Sequence, residues 1–138
     1  MGAKAAPDGY SLLIATGGDF TLSPALFKDM PYDVEKDLVP ITSLTDTPCV
    51  LAAGNDAPYK SVADVIADAK TKPGKVPYAT PGNGSMNQLI MEWFALSTGT
   101  KYQHIPYKGG APAGAAVAAG DVPIGVLAVS SALPHLKS

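Results

Sequence analysis

The 138-residue chain has one cysteine, and only 16% of its residues are charged. Its ten basic residues are all lysine. The lone Cys49 excludes an internal disulfide, and its run Cys49-Val-Leu-Ala-Ala53 reads as a strand holding a buried, inert thiol. A single cysteine does not fix the redox compartment. Without arginine there is no bidentate clamp for a carboxylate, so an anion must be held by backbone amides, hydroxyls or lysine. The lysines form no stripe and the net charge is −2, which leaves no electrostatic case for a nucleic-acid partner. No run approaches the roughly 20 apolar residues that cross a bilayer. Residues 1–10 hold no signal-peptide core, so an exported protein with this sequence is expected to stand here without its leader. His104 and His135 are far apart and have no acidic cluster beside them, which makes no metal site.

With 46% hydrophobic residues, the chain is expected to fold as a soluble domain of ordinary size. Tyr10–Thr16, Ile41–Leu44, Cys49–Ala53, Val76–Thr80, Tyr102–Pro106 and Val122–Val129 read as strands. Helical or irregular structure is expected at Ser23–Lys28, and a long polar connection at Met30–Pro40. Ser61 with Asp64 forms a capping box before a helix carrying Val62, Val65, Ile66 and Ala69, stopped by Pro73-Gly74. Ser85 with Gln88 opens a second helix, in which Leu89, Ile90, Trp93, Phe94 and Leu96 are expected to form a broad buried face ending at Gly99. Ala111–Ala119 reads as a third helix of small residues. Strands alternating with helices predict a parallel α/β sheet. The Ile41–Leu44 and Cys49–Ala53 pair, lacking a helix between them, is free to bend, cross between sheets or pair antiparallel.

In such a sheet the carboxyl ends of strands and the amino ends of helices share one side, where ligands sit. Tyr78-Ala-Thr-Pro-Gly-Asn-Gly-Ser85 is the most informative of these junctions. It offers unpaired N–H groups and a serine hydroxyl to something negative. It does not match the phosphate loop ending in Gly-Lys-Ser/Thr, the three-glycine dinucleotide pattern, or the Gly-x-Ser-x-Gly elbow. Ser85 is first of all a helix cap, Lys108 is the best charged candidate for a carboxylate, and His104 is a structural hydrogen-bonding residue. Asp19 is expected to cap its loop or face solvent. Two other readings stand beside anion binding. One is a small α/β hydrolase-like enzyme in which Ser85, His104 and an acidic group converge. The other is a non-binding structural or interaction fragment.

Ala6-Pro-Asp-Gly-Tyr-Ser-Leu-Leu13, Pro31-Tyr-Asp33, Lys60-Ser-Val-Ala-Asp64, Pro73-Gly-Lys75, Tyr78–Ser85, Ile105-Pro-Tyr-Lys-Gly109 and Ser131-Ala-Leu-Pro-His135 occur in one order. In that order they resemble the tripartite tricarboxylate transporter substrate-binding proteins, which include the Bordetella uptake-gene receptors. The resemblance implies a periplasmic-binding-protein-like (type II-like) α/β architecture. Residues 1–46 would be a remnant of the first domain and residues 47–138 most of the second. It implies a non-catalytic periplasmic receptor without cofactor or metal, which holds a small organic carboxylate and delivers it to membrane permease subunits. The ligand-side positions it implies are Thr16 and Gly17 from the first domain, and Asn83, Gly84, Ser85, Lys108 and Ser130 from the second. Family members carry further chain before and after the matched part. A chain with half of the clamp is expected to bind weakly and to self-associate through an exposed sheet edge or cleft surface. By the same resemblance, Leu127-Ala-Val-Ser130 is expected to stand where many family members carry an acidic residue.

Overall fold

Contacts divide the chain into two units, Met1–Asp46 and Thr47–Ser138, and the computed structural model describes residues 2–136. The first unit holds a 3-10 turn at Gly2–Lys4 and three short helices, α1 (Gly17–Thr21), α2 (Ser23–Leu26) and α3 (Val34–Asp37). Asp33 starts α3 by accepting from the N–H of Glu35 at 3.0 Å and of Lys36 at 3.3 Å. The connection expected at residues 30–40 therefore contains a helical turn. The strands expected at Tyr10–Thr16 and Ile41–Leu44 do not form. Tyr10 is 92% exposed and Ile41 77%. A strand needs a neighbour to take its N–H and C=O groups, and no strand occurs among the described residues of this unit.

The second unit alternates strand and helix: β1 (Cys49–Ala53), α4 (Val62–Thr71), β2 (Pro77–Thr80), α5 (Met86–Thr98), β3 (Gln103–Pro106), α6 (Gly110–Ala118), β4 (Ile124–Ala128) and α7 (Val129–Ala132). A 3-10 turn at Leu133–His135 follows. The sheet order is β1-β4-β2-β3. β4, β2 and β3 run parallel, with Tyr78 opposite Ile124 on one side and His104 on the other. β1 closes the edge antiparallel to β4, Cys49 facing Ala128.

Two apolar layers cover the sheet. Val65 and Ala69 of α4 and Met91 of α5 pack with Tyr78, Ile124 and Val126. Ala113 and Val117 of α6 and Ala132 of α7 pack with Ala79 and Leu127. The small residues of α6 permit close approach. A Cβ on Gly114 would lie 2.7 Å from the Ser131 carbonyl oxygen, so α7 can sit there only against glycine.

α4 begins with the expected box. Ser61 Oγ accepts from Asp64 N at 3.3 Å, and the Asp64 carboxylate accepts from Ser61 N at 2.9 Å. α5 departs from expectation. Met91 and Ala95 make its buried stripe and Phe94 is partly buried, whereas Leu89, Ile90, Trp93 and Leu96 are exposed, Trp93 by 70% and Leu96 by 82%. The helix is apolar on most of its circumference, so hydropathy alone does not choose which stripe meets the sheet.

Candidate anion-binding site

The loop after β2 turns on Gly84, whose φ of +72° lies in the left-handed region. Ser85 is then the N-cap of α5, accepting from Gln88 N at 3.3 Å. The Ser85 hydroxyl donates to the Gly82 carbonyl at 2.8 Å. Gln88 Oε1 reaches past the cap residue and accepts from Gly84 N at 2.8 Å. Among the described residues, no acceptor partners the N–H groups of Asn83, Ser85, Met86 and Asn87. These donors sit at the positive end of a 13-residue helix.

The loop after β3 is fastened to this one by two hydrogen bonds. Tyr107 N donates to the Thr80 carbonyl at 2.9 Å, and Gly109 N donates to the Pro81 carbonyl at 2.8 Å. Gly109 has φ +115°, a conformation glycine supplies. That tie carries the exposed Lys108 to the same sheet edge. Gly110, the first residue of α6, lies against Ser131, so close that a Cβ would collide with the serine side chain. Ser130, next to it at the start of α7, is exposed. Asn83, Gly84, Ser85 and Lys108 thus lie on loops, and Ser130 in the first turn of α7, at the carboxyl edge of the three parallel strands.

Thr16 and Gly17 belong to the other unit. Thr16 is the N-cap of α1, and its N–H and hydroxyl both donate to Asp19 Oδ2 at 2.8 Å. Asp19 therefore caps its loop, and an anion approaching Thr16 would compete with that carboxylate.

Several residues that the sequence did not single out for the site hold its loop in place. Thr80 is fully buried, and its hydroxyl lies 3.2 Å from the Gly82 carbonyl, 3.3 Å from Gly82 N and 2.6 Å from His104 Nε2. The His104 ring stacks on Tyr78 at 5.1 Å, and Tyr78 in turn donates to Glu92 Oε1 at 2.9 Å. Burial lowers the His104 pKa, and the Glu92 carboxylate only partly opposes this. Asn87 fixes the start of α5 to the sheet, donating to the Val126 carbonyl at 3.1 Å and to Cys49 Sγ at 3.5 Å. Cys49 is only partly buried rather than buried as expected, and that burial raises its pKa, so the thiol stays protonated at neutral pH. Only the β-strand alternation of Tyr78, Thr80 and the facing His104 could have revealed this network, and it requires the register to be known.

The hydrolase arrangement does not assemble. His104 bonds to Thr80, while the Ser85 hydroxyl is committed to Gly82 and Gln88. No group of three or more His, Cys, Asp or Glu residues able to hold a metal occurs among the described residues. An apolar groove of about 390 Å³ runs beside α5 between Cys49, Val62, Met86 and Ile90. A cavity of about 350 Å³ lined by Gly74, Thr100 and Lys101 lies at the opposite end of the sheet.

Residues 1–138 match the model of the tripartite tricarboxylate transporter family receptor. A UPF0065 protein of Bordetella bronchiseptica is 37% identical over 136 residues, covering 99% of this chain and 40% of that protein. A solved structure of a periplasmic transporter is 36% identical with a TM-score of 0.91, covering 99% of this chain and 46% of that one. A solved R. palustris protein with adipate is 31% identical with a TM-score of 0.92, again over 99% of this chain and 46% of that one. The chain thus spans less than half the length of these relatives, and its α/β fold is that of periplasmic binding proteins.

Proposed function

The chain belongs to the tripartite tricarboxylate transporter receptor family, and we propose that it forms the carboxylate-holding wall of a periplasmic solute receptor. Residues 47–138 correspond to most of the second ligand-binding domain, and residues 1–46 to a remnant of the first. The observation that carries this reading is the set of unpartnered N–H groups of Asn83, Ser85, Met86 and Asn87 around the left-handed Gly84. A ligand carboxylate accepts from these groups. Gly84 brings the backbone close, Lys108 adds a point charge from the adjoining loop, and Ser130 adds a hydroxyl. Ser85 contributes its N–H while its hydroxyl holds the loop. Thr16 and Gly17 are the first domain's contribution to the ligand in the whole receptor. No bond is made or broken: the protein is a receptor, not an enzyme, and it hands the solute to membrane permease subunits.

The adipate in the R. palustris relative supports a dicarboxylate among the candidates. An anion at an exposed helix amino end gains about 0.3–1 kcal/mol from the dipole. One wall of a clamp is therefore expected to give a dissociation constant of about 1 mM or weaker, or roughly −4 kcal/mol at most. Isothermal titration with mono- and dicarboxylates, adipate included, tests this. Weak binding that disappears in Lys108→Glu supports the reading, and micromolar binding by the 138-residue chain overturns the single-wall assignment.

Self-association of the chain is the second part of the proposal, favoured by the exposed Trp93 and Leu96 of α5. A sedimentation profile that stays monomeric across concentration would count against it.

A further inference from the structure

The site loop rests on a hydroxyl that has one hydrogen and three partners. Thr80 Oγ1 lies 2.6 Å from His104 Nε2, 3.2 Å from the Gly82 carbonyl and 3.3 Å from Gly82 N. Gly82 N–H can only donate to the hydroxyl oxygen, and the Gly82 carbonyl can only accept from it. The imidazole nitrogen therefore decides where the hydrogen goes. If Nε2 is bare, it takes the Thr80 hydrogen, and the carbonyl keeps only the Ser85 hydroxyl. If Nε2 carries a hydrogen, it donates to Oγ1, and the Thr80 hydrogen is free for Gly82. In the first arrangement the 3.2 Å contact between Thr80 Oγ1 and the Gly82 carbonyl oxygen holds no hydrogen; only the second makes it a hydrogen bond beside the fully buried Thr80.

We infer that His104 is a positioning residue for the anion loop, donating from Nε2–H to Thr80 Oγ1 so that Thr80 and Ser85 together hold the Gly82 carbonyl. This inference rests on the proposed carboxylate site for its functional meaning, but the loop geometry itself does not depend on a ligand. The Gly82 carbonyl accepts from Thr80 Oγ1 at 3.2 Å and from Ser85 Oγ at 2.8 Å. Held by two hydroxyls, that carbonyl is less free to swing toward the N–H groups of Asn83 and Ser85 and repel an anion there. Stacking on Tyr78 at 5.1 Å fixes the imidazole plane, so the donor is held before any ligand arrives. His104 acts from beneath the loop and does not touch the solute.

The test separates the loop from the ligand. In the ligand-free 138-residue chain, long-range nitrogen–proton correlation spectra report which imidazole nitrogen carries hydrogen. The expected result is hydrogen on Nε2 at neutral pH. His104→Phe keeps a stacking ring and removes the donor, whereas His104→Gln restores an N–H donor. The Gly82 and Gly84 amide signals should move in His104→Phe and return toward their original positions in His104→Gln. Adipate affinity should fall about three- to tenfold in His104→Phe, the range of one hydrogen bond, and recover in His104→Gln. Hydrogen on Nδ1 alone, or amide signals indifferent to His104→Phe, would overturn the inference. Absence of any carboxylate binding in the unaltered chain, with the amide and tautomer results as expected, would instead overturn the proposed site and leave the positioning role standing.

Discussion

Gly109 N–H donates to the Pro81 carbonyl at 2.8 Å, and this one bond makes two sequence-distant loops into one edge. With the Tyr107 N to Thr80 carbonyl bond at 2.9 Å, it extends the β2–β3 pairing beyond the strands. The Lys108 loop and the Ser85 loop therefore meet the solvent side by side. Both loops end in helix starts, so both present the positive end of a helix at the same edge.

Gly82 and Gly84 lie two positions apart but should respond differently to alanine. Gly84 has φ +72°, where a Cβ is strained, and Gly84→Ala should cost about 1 kcal/mol. A Cβ on Gly82 would meet only the Tyr107 carbonyl oxygen at 3.5 Å, an ordinary contact, so Gly82→Ala should change stability by less than about 0.5 kcal/mol. Urea unfolding of the two variants checks the contrast.

Ser85 separates stability from binding. Ser85→Ala leaves Gln88 N without its 3.3 Å acceptor and should lose about 1 kcal/mol of stability. Ser85→Asp keeps an acceptor for Gln88 N but has no hydrogen for the Gly82 carbonyl, so its unfolding midpoint should fall, though no further than that of Ser85→Ala. The introduced carboxylate adds a negative charge beside the N–H groups proposed to hold the ligand and should abolish carboxylate binding. Denaturation and titration calorimetry on the same pair of variants read the two effects independently.

Tyr102 carries a buried hydroxyl with no hydrogen-bond partner among the described residues. Its ring packs at 6.4 Å from Tyr78 and 6.1 Å from Phe94. Removing an unsatisfied hydroxyl while keeping the ring removes a desolvation cost. Tyr102→Phe should therefore raise stability by about 1 kcal/mol, seen as a higher urea midpoint with unchanged slope.

His104 gives the stability a pH dependence near neutrality. Burial lowers its folded pKa below the ordinary 6.5, with Glu92 opposing. Between the folded and unfolded values the unfolded chain binds more protons, so stability is full above about 6.5. It falls as the pH drops toward the folded value and levels off below it. The carboxylates of Asp64 and Asp68 have pKa values lowered from 3.8 by hydrogen bonds from Lys60 N and from Lys72 respectively. Their contribution is lost only at pH near or below about 4. Unfolding midpoints should hold level from pH 8 to about 6.5 and fall toward pH 5 in the original chain, and the fall should be absent in His104→Gln.

Much of the second unit was legible because its signals are local. Ser61 with Asp64, Ser85 with Gln88, and Gly99 at φ +65° mark helix ends by chemistry confined to a few neighbouring residues. The antiparallel entry of β1 stayed open because pairing direction depends on the distant β4. The Tyr10–Thr16 and Ile41–Leu44 runs read as strands on composition, but residues 2–46 offer them no strand partner. Trp93 and Leu96 read as core because α5 is apolar on most sides, and only packing selects Met91 and Ala95. Of the candidate site, the loop glycines and the cap were visible in the sequence. Thr80 and His104 were not joined until the register placed Tyr78 opposite His104.

The most direct test is an amide-resolved titration of the 138-residue chain with millimolar adipate. Shifts should concentrate at the N–H groups of Asn83, Ser85, Met86 and Asn87, with smaller ones at Lys108 to Gly110. Shifts centred instead on the Cys49–Ile90 groove or on the Lys101 end of the sheet, with those amides unmoved, would contradict it.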